Sequence, residues 1–468
     1  MEIINPATEE IIAAIEEDTG QTIKEKYEAV REGQQLWQVP IVERISIIRK
    51  FYDLLKDELE QLAKVLTDEM GKPLDQSQNE IKGARARIKF FLENSEKWLR
   101  EEQITHPVPS GHPSQEGNEG GVEEKIVWEP LGVIANISAW NYPYLVGVNV
   151  FIPALIAGNG VLYKPSEYAT LTGLKIEELL HKAGIPQNVF LTITGGKDAG
   201  EALLQLPLDG YFFTGSYKTG LHIYETVAPK MVPCQLELGG KDPLYVTDDN
   251  THIKGVAKAA VEGAFYNTGQ SYCSVERIYV HQDVYDDFTR EFVKEVKQLK
   301  TGNPDEIDVF IGPVTRQEQL EFLQHQVDDA LKKGANLLAG GKKMERKGYY
   351  FQPTILVNAD HKMSVMKDES FGPVIGICKV KDDEEAVALM QDTEFGLTAA
   401  VYSDSQQRAE QILQKINTGT VYWNCCDRVS ARLPWSGRKH SGIGTTLSYM
   451  GIRAFVRPKA YHLKKGIR

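Results

Sequence analysis

A glutamate beside a double glycine and a cysteine further along the chain are the residues whose types point most directly to chemistry. Glu237 stands in Leu236-Glu237-Leu238-Gly239-Gly240-Lys241, and Cys273 closes Asn267-Thr268-Gly269-Gln270-Ser271-Tyr272-Cys273. A carboxylate next to a Gly-Gly turn has room to swing, which suits a base that deprotonates a thiol or a hydrolytic water. A thiol attacks carbonyls well, because its pKa of about 8.5 is tunable and its ester is reactive. The neighbouring Tyr272 is bulkier, and its phenol, with a pKa of about 10, is a poorer nucleophile at neutral pH. Asn141 adds a third group, in Ser138-Ala139-Trp140-Asn141-Tyr142-Pro143 just past an expected strand. An amide at the carboxyl end of a parallel strand can donate to a developing oxyanion. By itself, an Asn before an aromatic-Pro pair is more often a turn former.

A second group of motifs suits a dinucleotide. Lys164-Pro165-Ser166-Glu167 directly follows a strand-like run. A Lys there can bind ribose hydroxyls or phosphate, and a Glu can accept from a ribose diol. Read alone, the tetrapeptide is also an ordinary strand-to-helix corner with Ser as N-cap. Glu167 favours NAD, because it would repel a 2′-phosphate, while Ser166 and Lys164 leave NADP open. Phe212-Phe213-Thr214-Gly215-Ser216 with Gly220 reads as strand, G-S-x-x-x-G turn and helix. Gly215 lets backbone approach a pyrophosphate, and the helix N-terminus presents free N–H groups. The pattern is not G-x-G-x-x-G.

Together these segments resemble the aldehyde dehydrogenase family, and they occur in the family's order over nearly the whole chain. The resemblance implies NAD(P)-dependent oxidation of an aldehyde to a carboxylate through a thiohemiacetal and a thioester on a cysteine. It assigns the base to Glu237 and the oxyanion donor to Asn141. It places Trp140, Lys164, Ser166, Glu167, Gly215, Ser216, Gly220 and Leu238 at the cofactor. In Glu369-Ser370-Phe371-Gly372-Pro373 it gives Glu369 to the nicotinamide ribose and Phe371 to the ring. The family's N-x-G-Q-x-C, with an Arg five residues later, matches Asn267 and Arg277 without a gap, so its nucleophile position falls on Tyr272. Cys273 is one residue on, and its side chain is expected to point elsewhere, about 100° round a helix or to the other face of a strand. Three accounts stay open: a nucleophile removed by engineering, a natural cofactor-binding protein without turnover, or a displaced backbone that lets Cys273 serve. Val421-Tyr422-Trp423-Asn424 and the Pro434 to Gly442 segment resemble the family's substrate loop and closing motif. Trp435, Tyr142 and Val146 are candidates for an apolar tunnel. Arg428 and Arg432 are either solvated loop residues or a grip for a substrate carboxylate.

The elements that must position these residues are legible in outline. Residues 21 to 98 have helical spacing, with Pro40 opening one helix, Pro73 breaking the run and a second helix expected from about Ser77 to Leu99. From Gly132, strands and helices alternate: Val133 to Ile137, a helix from Val146 to Gly158, Gly160 to Tyr163, a helix from Leu171 to Ala183, Val189 to Ile193, and Gly210 to Phe213. Such alternation means parallel strands with crossover helices. A second α/β region starts near Glu237. The fold expected is α/β and aldehyde-dehydrogenase-like. Its cofactor domain, of Rossmann type, comprises residues 1–100 and 130–235, and its catalytic domain residues 236–445. A β oligomerisation arm takes residues 101–129 and 446–468. Pro- and Gly-rich residues His106 to Gly121 read as a loop.

Bulk properties set the outer limits. The 468 residues carry a net charge of −12, with 42% hydrophobic and 25% charged residues. Such acidity argues against a nucleic-acid partner. The five cysteines form no C-x-x-C pair, which suits a reduced compartment, so a cytoplasmic location is expected. No 18-residue apolar run predicts a membrane span. The expected partners are a small aldehyde, NAD or NADP, and further copies of the chain in a homodimer or homotetramer.

Overall fold

The computed structural model describes residues 1–104 and 122–464. The expected loop at His106 to Gly121 lies outside the described residues. Two parallel sheets form the frame. The first runs, in spatial order, Gly442–Ile443, Cys234–Leu238, Gly210–Gly215, Val133–Ile137, Gly160–Lys164 and Phe190–Thr192. Gly442–Ile443 alone in this sheet is antiparallel, pairing Gly442 with Glu237. The strand bearing Glu237 is therefore held on both sides within the first sheet.

Alternation along its strands explains the layering. Ile134, Val161, Tyr163 and Phe212 face one buried cluster built on the helices of the first hundred residues and Pro143–Ala157. Val133, Ala135, Leu162, Tyr211 and Phe213 face another, with helix residues Ile23, Val30, Leu203 and Ile223. Side chains of successive strand residues point to opposite faces, and a parallel sheet needs both faces covered. The helix Pro143–Ala157 is apolar almost all round and buried at every position but Leu145, as such a composition requires. Val146 is committed to that packing, so it lines no tunnel.

The second sheet has seven strands: Asn336–Ala339, Thr354–Val357, Val374–Val380, Val275–His281, Asp242–Val246, Thr398–Tyr402 and Thr420–Trp423. Asn336–Ala339 is its antiparallel edge. A third sheet pairs Val456–Lys464 with Val122–Pro130 and that with Glu102–Ile104, all antiparallel. The N-terminal helices are Gly20–Leu36, Ile41–Asp57, Leu59–Met70 and Leu74–Trp98. The last starts at Leu74, three residues before the expected Ser77, with Pro73 at its N-cap, whose fixed φ suits the entry to a helix.

Candidate active site

The segment ahead of Cys273 is a turn with an unusual backbone. Helix Ile253–Phe265 ends, and Asn267, Thr268 and Gly269 all take positive φ, at 54°, 57° and 73°. Asn tolerates this region better than Thr, which is β-branched. Hydrogen bonds from several directions hold the turn. The Asn267 N–H donates to Gln76 Oε1 at 2.8 Å, and Asn267 Nδ2 donates to the Asn141 carbonyl at 3.1 Å. Thr268 Oγ1 accepts from the Gly312 N–H at 3.1 Å, and Gln270 Oε1 accepts from the Thr315 N–H at 2.9 Å. Asn141 Nδ2 closes the loop by donating to the Gln270 carbonyl at 3.1 Å. A buried Lys72–Glu80 pair lies beneath. Lys72 Nζ donates to the Asn141 carbonyl at 2.8 Å, and Glu80 Oε1 accepts from the Tyr144 N–H at 2.8 Å.

Two cavities end at this turn. The smaller, of about 660 Å³, is lined by Trp140, Asn141, Lys164, Ser166, Glu167, Gly215, Ser216, Glu237, Glu369 and Phe371. The larger, of about 860 Å³, is lined by Tyr142, Leu145, Tyr266, Cys273, Asp427 and Arg432, among others. Among the described residues, Tyr272 is the one shared by the two linings. Its ring stands edge-on to buried Trp435, with centroids 6.0 Å apart and planes at 78°. Trp435 therefore props Tyr272 and lines neither cavity.

Cys273 faces the larger cavity only. Its Sγ donates to Asp427 Oδ1 at 3.0 Å and lies 3.6 Å from Ser271 Oγ. Burial, then the facing Asp427 carboxylate, push its thiol well above the ordinary range. Asp427, itself raised by burial, has φ of 48° and comes from a segment 154 residues away. Arg428 pairs with Glu262 at 3.4 Å near the same cavity.

Glu237 faces the smaller cavity. Its Oε1 accepts from Thr446 Oγ1, and its Oε2 is buried with no partner among the described residues. Burial pushes its carboxyl up to about 7, against the pull of Thr446 and Arg87. Glu369, whose Oε1 accepts from the Gly240 N–H at 3.0 Å, is pushed by burial to about 8. The turn bearing Glu369 and Phe371 is shaped by Glu276, which accepts from the N–H groups of Ser370 and Phe371 at 2.9 and 3.1 Å and pairs with Lys241 at 2.7 Å. Arg277 is fully buried and donates to the carbonyls of Lys241, Leu389 and Met390. It fastens the strand after Cys273 and takes no part in the cavities.

The smaller cavity suits a dinucleotide on its own terms. Lys164 is 5% exposed, and among the described residues the one acceptor of its Nζ is the Pro165 carbonyl at 3.4 Å. A buried ammonium so poorly satisfied wants hydroxyl or phosphate oxygens. Ser216 caps the helix Tyr217–Val227, whose N-terminus opens at this wall. Trp140 meets Phe371 edge-on at 5.4 Å. Gly220 and Leu238 line neither cavity but pack on each other. A Cβ at Gly220 would come within 2.5 Å of Leu238 Cδ2, so the glycine serves close helix–strand contact.

Fold and site together define a dinucleotide-dependent α/β enzyme scaffold, and comparison with known proteins agrees. Residues 1–461 match the model of the aldehyde dehydrogenase family. The chain is 34% identical over 461 residues to succinate-semialdehyde dehydrogenase [NADP(+)] of Deinococcus radiodurans, covering 97% of this chain and 93% of that protein. It is 32% identical to the chloroplastic betaine aldehyde dehydrogenase of Atriplex hortensis, covering 98% and 91%. It superposes on betaine aldehyde dehydrogenase from Staphylococcus aureus in complex with NAD+ with a TM-score of 0.92, at 31% identity, covering 99% and 91%. The chain belongs to the aldehyde dehydrogenase family and is built as an NAD(P)-dependent enzyme of that family. Among the described residues, no helix is long and apolar enough to cross a membrane.

Proposed function

We propose that the protein oxidises a small aldehyde to its carboxylate with NAD, or NADP, where the two cavities meet at Tyr272, and that Cys273 is the nucleophile. The observation that carries this reading is the position of Cys273 on the wall of the larger cavity, hydrogen-bonded to a carboxylate. Asp427, which accepts from Cys273 Sγ, would take the thiol proton. Asn141 Nδ2, on release from the Gln270 carbonyl, has the donor character to hold the oxyanion. Glu237, with one free oxygen and a carboxyl near neutrality, suits activation of the water that releases the carboxylate. Lys164, Ser166, Glu167, Ser216, Glu369 and Phe371 would hold the cofactor, which when bound supplies the hydride acceptor. Glu167 favours NAD by charge, and the relatives include both NAD+ and NADP(+) enzymes by name. The third sheet serves as the oligomerisation arm of a cytoplasmic homo-oligomer.

A second reading, cofactor binding without turnover, is favoured by one observation. The Tyr272 ring stands at the family's nucleophile position, and Cys273 does not reach the lining of the smaller cavity. NADH formation over a panel of aldehydes by the parent chain, Cys273→Ala and Tyr272→Cys separates the two. The oxidase reading expects turnover by the parent that Cys273→Ala abolishes. Turnover by Tyr272→Cys alone would overturn it and leave the second.

A further inference from the structure

Tyr272 has a hydroxyl with nothing in the protein to do. Its phenol makes no hydrogen bond to any described residue, and it is not among the sealed, unpartnered polar atoms. The ring is fixed against Trp435, and the residue is the one shared by both cavities. A phenol is a weak nucleophile, but it is a competent general acid towards an alkoxide, which is the stronger base. The same cavity holds Glu237, whose residue is 5% exposed and whose Oε2 is buried without a partner. A carboxyl placed there can return a proton to a phenolate. Asn141 lines the cavity as well, with its Nδ2 donating to the Gln270 carbonyl.

From this juxtaposition we propose that Tyr272 is a catalytic proton donor and that the protein reduces aldehydes to primary alcohols with NADH or NADPH. When bound, a reduced nicotinamide would supply the hydride of the new C–H bond, and with it the two electrons that reduce the carbonyl carbon as the cofactor is oxidised. The carbonyl π pair takes the phenolic proton of Tyr272 and becomes the alcohol O–H. Tyr272 recovers its proton from Glu237, and Glu237 from solvent. No covalent adduct forms and no thiolate is needed. Burial, which keeps the phenol protonated, agrees with a donor role. The proposal shares the cofactor cavity of the oxidase reading and does not rest on Cys273.

The test uses the full chain with NADH or NADPH deuterated at the transferable position and a panel of aliphatic and aromatic aldehydes. Products are read by mass spectrometry, and cofactor affinity is read separately by quenching of protein fluorescence. The expected result is alcohol with one deuterium on the former carbonyl carbon. Tyr272→Phe keeps the ring, so it is expected to bind the reduced cofactor with unchanged Kd while losing at least about 100-fold in alcohol formation. Alcohol formed by Tyr272→Phe at the parent rate would overturn the assignment of Tyr272. Tight cofactor binding with no alcohol from the parent would overturn the reductase activity, while carboxylate formed from the same aldehydes with NAD would leave the oxidase reading standing. Failure of the parent to bind either cofactor would sink both.

Discussion

At the scale of single residues, Glu237 links the chemistry to pH. Its carboxyl, ordinarily near 4.5, is raised to about 7 by burial beside an unpartnered Oε2. Between those values the folded chain holds a proton that the unfolded chain has lost. Stability therefore falls as pH rises through this window, and the full cost of the buried charge is present above about 7. Glu237→Gln keeps an acceptor for Thr446 Oγ1 and removes the charge. It is expected to leave stability near parental at pH 5 and to raise it at pH 8, by at most about 3 kcal/mol. Thermal unfolding of both proteins at the two pH values measures this. A variant equally destabilised or unaffected at both would show that the burial penalty is not present. The groups that meet Glu237 and Cys273 come from far away in the chain. Thr446 and Asp427 lie 209 and 154 residues from their partners Glu237 and Cys273. No local pattern announces such pairings, whereas Glu237, Lys164 and Glu369 stand in compact motifs that name themselves.

At the scale of elements, the turn Tyr266–Gly269 is the piece on which the site depends. Gly269 has φ of 73°, and a Cβ there would lie 2.3 Å from the Gly372 carbonyl oxygen. Gly372 belongs to the turn that carries Glu369 and Phe371, so the two turns touch backbone to side and neither can yield cheaply. Gly269→Ala combines a left-handed backbone with that clash and is expected to cost about 2–4 kcal/mol. The loss should appear in urea unfolding together with weakened cofactor binding, because the displaced neighbour is the Glu369 turn. Parental stability would mean that the turn has room it does not show. Strand Val133–Ile137 was legible to the residue, because a short apolar run bounded by Gly132 leaves little choice. The helix Gln317–Lys332 was not, although Leu320, Leu323, Val327 and Ala330 form its buried face. Its many glutamines and acidic residues mask the period. Strand Val374–Val380, which follows directly on the Glu369 to Pro373 motif, was not read either. The N-terminal hairpin Glu2–Asn5 with Glu10–Ala14 is too short and too exposed to show an alternation.

At the scale of the whole molecule, the third sheet is the part that bears on self-association, because among the described residues Val456–Lys464 and Glu102–Ile104 are its two edges. Val456–Lys464 is an edge strand nine residues long, exposed at nearly every position after Val456, and Leu463 is 43% exposed. The opposite edge, Glu102–Ile104, ends on Ile104 at 41%. A long edge strand with exposed apolar side chains invites pairing with another chain. Lys459 and His462 blunt the edge only partly, because they are paired with Glu129 and Glu124 on the adjoining strand. The domain frame needs little from the far end of this strand, since Phe455, stacked on Phe212 with centroids 4.4 Å apart, anchors the chain before the strand departs. Removing residues 459–468 is therefore expected to leave the near-UV circular dichroism of the folded chain intact and to convert a dimer or tetramer into monomer. Light scattering coupled to size exclusion at micromolar concentration decides it. A parent chain that is monomeric, or a shortened chain of unchanged assembly, would remove the arm from the account and place any self-association on another face. The net charge of −12 sharpens the test, because like-charged subunits repel. If the arm is the contact, added salt should tighten the parent assembly by screening that repulsion, and leave the shortened chain monomeric.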